Sequence, residues 1–178
     1  MPVERTPPRT SGLTLLELLV VVVVAAVLLA TGVPALRHLV LEARMTSTVN
    51  ALVHDLHLAR QAANLKARTV VVCPAAADGG CRGDGQWDTG WTVVVAEGPE
   101  NGAKRTPLAQ RGPVHGIWVH SNRRAFAFRP FSRRDTNGTI GFCDERGPAA
   151  VRALVISPTG RPRLASRAEA RARVKCFS

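Results

Sequence analysis

The sequence predicts an α+β protein. One long N-terminal α-helix, transmembrane in its first half, packs on a small antiparallel β-sheet head of two sheets with two disulfides. Three observations carry this expectation. Apolar residues make up 46% of the 178 residues, yet they concentrate in Leu18–Leu36, with no charge between Glu17 and Arg37. From Thr69 onward the chain turns to short β-branched and aromatic runs separated by Gly, Pro, Asn and Asp. Four cysteines, Cys73, Cys81, Cys143 and Cys176, all lie outside the apolar stretch. An even number fits two disulfides in an oxidising compartment, and without a C-x2-C pair a zinc site is disfavoured. Of the three possible pairings, Cys73 with Cys81 and Cys143 with Cys176 is favoured.

A secretory signal peptide places its small-residue cleavage site after the apolar core. Here the one suitable residue, Gly12, comes before that core, and Arg5 and Arg9 lie on the side that the positive-inside rule keeps in the cytoplasm. Cleavage after Gly12 therefore leaves the apolar helix in the mature chain. The expected divisions are a leader over 1–12, a transmembrane helix over 13–36, an amphipathic second half over 37–68 and a β-rich head over 69–178.

Leu13 to about Ala67 reads as one helix interrupted near Gly32-Val33-Pro34, since Gly and Pro mark a bend in an apolar helix. Beyond the proline, Leu36, Leu39, Val40 and Ala43 share a stripe, continued by Val49, Leu52, Val53, Leu56, Ala59 and Ala63. Arg37, Glu42, Arg44, Asp55, Arg60 and Lys66 fall mostly off it. His54 and His57 stand at i, i+3 on this helix, where exposed or packing histidines are expected rather than metal ligands, as for His38.

Strands are expected at Thr69–Cys73, Trp91–Val95, Val114–His120, Ala125–Phe131, Thr139–Phe142 and Ala153–Ile156. The turn signals between them include Asp78-Gly79-Gly80, Gly83-Asp84-Gly85, Gly98-Pro99 and Gly147-Pro148. Asn137-Gly138 is the cleanest hairpin candidate. Trp87 and Trp91 are expected in the core. The chain has no phosphate-binding loop, no nucleophile elbow, no metalloprotease motif and no cofactor motif, so no catalysis is expected.

Two resemblances follow from these residues. Gly12-Leu13-Thr14-Leu15-Leu16-Glu17 before an apolar run resembles the prepilin leader, and about two dozen consecutive positions take part. The resemblance implies cleavage between Gly12 and Leu13 by prepilin peptidase and methylation of the new N-terminus. It also implies that Glu17 partners the N-terminal amine of a neighbouring subunit, and that Pro34 sits at the family's helix kink. A carboxylate near the bilayer interior costs a few kcal/mol and is tolerated where it has such a partner. The head, through Cys73-Pro74, Cys81, Trp87-Asp88-x-Gly90-Trp91 and Ile156–Arg163, resembles the FimT/GspH group of minor pilins.

Charge is one-sided. Residues 104–178 carry 16 Lys+Arg against 4 Asp+Glu, whereas residues 1–103 carry 8 against 9. Such an excess points to a polyanionic partner: nucleic acid, anionic lipid or lipopolysaccharide. In extended backbone, Arg161 and Arg163 point to one side about 6.6 Å apart, comparable to two phosphate steps of about 3.4 Å. Gly160 allows close backbone approach, Pro162 limits flexibility, and guanidinium forks suit phosphate oxygens. The Gly160-Arg161-x-Arg163 pattern resembles the DNA-binding motif of FimT minor pilins in natural transformation. Arg167, Arg171, Arg173 and Lys175 extend the patch, with Arg123, Arg124, Arg133 and Arg134 as further candidates. Few aromatics accompany these cations, so sequence-independent binding of double-stranded DNA through phosphates is expected rather than base stacking. The competing expectation is a GspH-like pseudopilin of type II secretion, or a priming minor pilin, acting through protein contacts alone. Mass spectrometry of the membrane-extracted protein should find a chain that begins at Leu13 and carries one methyl group; a start beyond Pro34 would remove the anchor.

Overall fold

A computed structural model describes residues 14–96 and 105–176. The leader, the Gly12/Leu13 cleavage site and the Gly98-Pro99 turn lie outside the described residues. The chain divides into two compact units, one ending at Glu42 and the other starting at Ala43. Helix α1, Leu15–Lys66, contributes to both.

In the first unit the Thr14 hydroxyl accepts the Glu17 backbone N–H at 3.3 Å, capping the helix. The expected interruption at Gly32-Val33-Pro34 is absent: α1 is helical throughout, with Pro34 inside it. Proline removes one ladder hydrogen bond, and the remaining turns carry the helix past it. The Thr31 hydroxyl adds bonds to the Val27 and Leu28 carbonyls just upstream. This segment is long and apolar enough to cross a membrane, with a mean hydropathy of 2.7 over 18 residues. Ala43, expected to lie on the head-facing stripe, is exposed instead. Burial of α1 begins at Met45.

In the second unit α1 packs on two four-stranded antiparallel sheets. The first has the order β3-β2-β1-β5, with β1 Val70–Pro74, β2 Trp91–Ala96, β3 Arg105–Gln110 and β5 Phe126–Phe128. The second has the order β4-β6-β7-β8, with β4 Ile117–Ser121, β6 Gly138–Asp144, β7 Arg152–Ile156 and β8 Pro162–Leu164. Six of these strands match the expected runs to within a few residues. Strand β3 was not expected, because Pro107 and its polar neighbours lack a strand pattern. It is an edge strand, where proline is tolerated, and its register with β2 slips between Val93 and Val94.

The hairpin expected at Asn137-Gly138 does not form. Strand β5 pairs with β1, whereas β6 pairs with β4 and β7, so the chain crosses between sheets there. The Arg129–Asp135 loop is anchored elsewhere, through Asp135, and local turn propensity loses to that anchorage.

Met45, Leu52, Leu56 and Ala59 of α1 meet Trp87, Trp91, Phe126, Phe142 and Leu154 in one core. Both tryptophans are buried, and each satisfies its indole N–H: Trp87 on the Arg123 carbonyl at 3.1 Å, Trp91 on Asp55 Oδ2 at 2.9 Å. Asp55 corrects the stripe. Its side chain is fully buried, and Arg111 grips it with Nε to Oδ2 at 2.9 Å and Nη2 to Oδ1 at 3.1 Å. His54 Nδ1 lies 3.0 Å from Oδ1. Burial pushes the Asp55 carboxyl up, but hydrogen bonds from Arg111, His54 and Trp91 together outweigh it and hold the pKa below the ordinary value.

A depressed carboxyl contributes stability above its unfolded pKa, about 3.9, and loses it as pH falls through the lower folded value. Asp55→Asn should therefore cost about 2–3 kcal/mol near neutral pH by urea denaturation. The gap to the parent should close as pH falls below about 4.

Candidate nucleic-acid interface

The segment after β7 forms a three-residue hairpin loop, Pro158-Thr159-Gly160. The Gly160 N–H donates to the Ser157 carbonyl at 2.8 Å, and the Ser157 N–H donates to the Arg161 carbonyl at 3.1 Å. This pattern needs a left-handed residue at its third position, and Gly160 supplies it with φ +71°. Gly160 is buried. A Cβ there would lie 2.6 Å from Arg60 Nη1 and 2.7 Å from Asp135 Oδ2, so the close approach it permits is to this chain's own residues.

Arg60 of α1 donates to the Thr159 carbonyl and lies 3.4 Å from Asp135 Oδ2. The Asp135 N–H in turn donates to the Pro158 carbonyl at 2.8 Å. Helix, loop and turn are thus tied at one point. Strand β8 runs along the free edge of its sheet, with Arg163 opposite Val155. Arg161 and Arg163 take the inward-bonded backbone positions, and Pro162, lacking an N–H, takes an outward one. A proline there blunts the edge against further pairing.

Arg161 is exposed, and its guanidinium has no partner among the described residues. Arg163 differs. Its Nη1 and Nη2 bind Glu169 Oε2 and Oε1 at 2.8 and 2.7 Å. Arg173 Nε reaches the same Oε1 at 3.0 Å. The hydrogen bond from Arg163, then the charges of Arg163 and Arg173, hold the Glu169 carboxyl down to about 2, so it stays ionised at any physiological pH. A phosphate at Arg163 must compete with that carboxylate.

Glu169 belongs to an element the strand-based reading missed: α2, Arg167–Arg173, capped by the Ser166 hydroxyl accepting the Glu169 N–H at 3.3 Å. Ser166-x-x-Glu169 is a helix-start pattern readable in the sequence. The helix lies on the outer face of the second sheet, where Ala170 and Val174 pack with Cys143, Val151 and Ala153. Gly141 makes room, since a Cβ there would meet Val174 Cγ2 at 2.6 Å. Arg167 is exposed at the start of α2, and Lys175 is exposed just past its end. Arg171 Nε donates to the Pro148 carbonyl at 3.3 Å. The structure therefore brings Arg163 and Arg173 together on Glu169, with Arg161 two residues before Arg163 in the chain, while Arg171 leans towards Pro148. Of the outlying candidates, Arg123 donates to the Asn137 carbonyl, and Arg124, Arg133 and Arg134 are exposed.

Both favoured disulfides are present, Cys73–Cys81 with Cα atoms 5.4 Å apart and Cys143–Cys176 at 5.7 Å. The second ties the chain beyond α2 to β6. Among the described residues no cluster of His, Cys, Asp and Glu is arranged to hold a metal.

A capped apolar helix continuing into a two-sheet head is the architecture of pilin-like subunits, and comparison with known proteins narrows it. Residues 48–160 match the family model described as type II transport protein GspH, and residues 7–33 match the prokaryotic N-terminal methylation motif. The chain belongs to the GspH family and is a type IV pilin-like minor pilin of the GspH/FimT kind. No curated protein sequence matches it. Crystal structures of the Pseudomonas aeruginosa PAO1 type IV minor pilin FimU share its fold. One, in space group P21, has TM-score 0.55 and 18% identity over 70% of this chain and 90% of that one. The other, in P65, has TM-score 0.53 and 19% identity over 69% and 94%. Membership implies a minor pilin or pseudopilin role, processing by prepilin peptidase and assembly with other pilins. The apolar helix and the methylation motif fit an inner-membrane anchor.

Loop-closure entropy scales with the span crosslinked, which is 33 residues for Cys143–Cys176 and 8 for Cys73–Cys81. Replacing the first pair by serine should cost about 3.5 kcal/mol and the second about 2.5 kcal/mol. Thermal unfolding of the two variants should rank them in that order.

Proposed function

We propose that this chain is a minor pilin of a type IV pilus that binds double-stranded DNA through an arginine patch and supports DNA uptake in natural transformation. The observation that carries the reading is Arg161: an exposed guanidinium without a partner among the described residues, on a turn tied to α1, beside Arg163 on the same strand edge. Arg167, Arg171, Arg173 and Lys175 add positive potential, and Glu169 alone opposes them between residues 161 and 175. Contacts of this kind address phosphates and carry no sequence information. Weak binding by one head is compatible with uptake, because neighbouring subunits supply avidity.

In this reading prepilin peptidase cuts after Gly12 and the new N-terminus at Leu13 is methylated. The subunit then waits in the inner membrane with its head in the periplasm. During assembly Glu17 pairs with the N-terminal amine of a neighbour, and Pro34 eases the packing of α1 in the filament. The pilus then carries the head to the cell surface.

The match to type II transport protein GspH favours a second reading. There the chain is a pseudopilin of a type II secretion system, or a priming subunit, whose contacts are with other pilins and whose basic tail is incidental.

A salt-titrated DNA-binding assay on a head fragment from Leu36 onward separates the two. Arg161→Ala with Arg163→Ala should weaken binding to duplex DNA and lower the log–log salt slope by about two, one for each phosphate no longer neutralised. Unchanged binding removes these arginines from the interface. A parent head that does not bind at moderate salt favours the secretion reading.

A further inference from the structure

Phe131 is 81% exposed, and its backbone φ of +54° is a region that residues with a Cβ avoid. The fold enforces both features. The Phe131 N–H donates to Asn64 Oδ1 on α1 at 3.0 Å. Its loop is closed at the base by Asp135, whose Oδ1 accepts the Arg129 N–H at 3.1 Å. Inside the loop the Ser132 hydroxyl donates to the Arg134 carbonyl at 2.7 Å and accepts the Arg134 N–H at 3.0 Å. An aromatic ring is thereby held out in solvent among Arg129, Arg133 and Arg134, all exposed and without side-chain partners among the described residues.

The anchor of this loop is also the anchor of the arginine turn. The Asp135 side chain is nearly fully buried; the residue's N–H holds the Pro158 carbonyl, and its carboxylate meets Arg60, which holds the Thr159 carbonyl. Phe131 and Arg161 therefore stand on two loops joined through one residue. Trp118, the exposed aromatic of β4, lies at the opposite edge of the second sheet from β8, three strand spacings or roughly 14 Å away.

We propose that the Arg129–Asp135 loop is a nucleobase-contacting extension of the DNA surface. Phe131 stacks on an unpaired base while Arg129, Arg133 and Arg134 hold the flanking phosphates. The inference rests on the DNA-binding reading above and adds a ligand class to it. Every base offers a π-face to an aromatic ring, and guanidinium planes stack on bases as well. Bases inside a duplex keep those faces covered by their neighbours. The loop therefore favours single strands, overhangs and frayed ends, whereas Arg161 and Arg163 take any phosphate backbone. A ring on a loop that also carries three exposed arginines suits a nucleic acid, since an apolar protein partner gains nothing from those cations.

The test uses the full mature protein in detergent micelles. Fluorescence anisotropy is read with labelled oligo-dT and with a blunt duplex of equal length, across a salt series. Phe131→Ala should weaken oligo-dT binding about tenfold and change duplex binding less than about twofold, with the salt slope unaltered. Phe131→Trp should keep oligo-dT affinity, and Phe131→Leu should lose it, because leucine retains apolar bulk without a π-face. That pair decides the matter even where the alanine variant loses thermal stability. Unchanged oligo-dT affinity in Phe131→Leu, while Arg161→Ala with Arg163→Ala still weakens both ligands, overturns this inference alone. A parent protein that binds neither DNA overturns the reading beneath it. Loss in Phe131→Leu of binding to phosphatidylglycerol vesicles, with oligo-dT affinity intact, assigns the loop to lipid and overturns it too.

Discussion

The head depends on a charge buried beneath its sheets. Asp55 sits on the face of α1 that meets the core, where an unpaired carboxylate would be intolerable. Trp91 on β2 and Arg111 just after β3 satisfy it, so one side chain of the helix holds the first sheet at two places. The tryptophan fills the core and satisfies its N–H in the same contact. The guanidinium approaches from the solvent side and keeps part of its hydration. Because the pair is directional, it specifies where β2 and β3 meet the helix, which apolar packing alone leaves looser.

A little more than one turn further along the helix, Arg60 does the corresponding work for the second sheet. It grips the turn after β7 and the loop after β5 through Asp135 and the Thr159 carbonyl. This polar junction explains the placement of the basic surface. Arg161 follows the turn directly, so its backbone is held by a buried network while its side chain stays free to meet an anion. Arg163, two residues on, is committed to Glu169. The two arginines of the motif are thus unequal. The Arg161 guanidinium has no partner among the described residues, whereas that of Arg163 is held by a carboxylate.

The C-terminal segment follows the same logic. Helix α2 is short and would not persist alone. It is stable here because Ala170 and Val174 bury on the sheet, Gly141 opens the space, Ser166 caps its start and Cys143–Cys176 ties the chain beyond it. Cations that read as a flexible basic tail are therefore fixed on a surface. The arrangement fixes the backbone that carries these cations and so concentrates positive potential on one surface.

Local chemistry written in consecutive residues was legible beforehand. The apolar run with Gly12 before it, the β-branched strands, the even cysteines and the concentration of arginine each depend on near neighbours or on composition. Tertiary structure alone decided the rest. Asp55 is 36 residues from Trp91 and 56 from Arg111, so nothing local marks it as buried. Asn137-Gly138 has the residues of a hairpin, yet distant anchors send its flanking strands to different sheets. Glu169 could be placed on a helix from the Ser166-x-x-Glu169 pattern, but its partnership with Arg163 required a sheet edge and a helix to meet. Pairing between segments far apart in sequence is set by which buried polar groups can all be satisfied at once, and that condition exists only when the whole chain is folded.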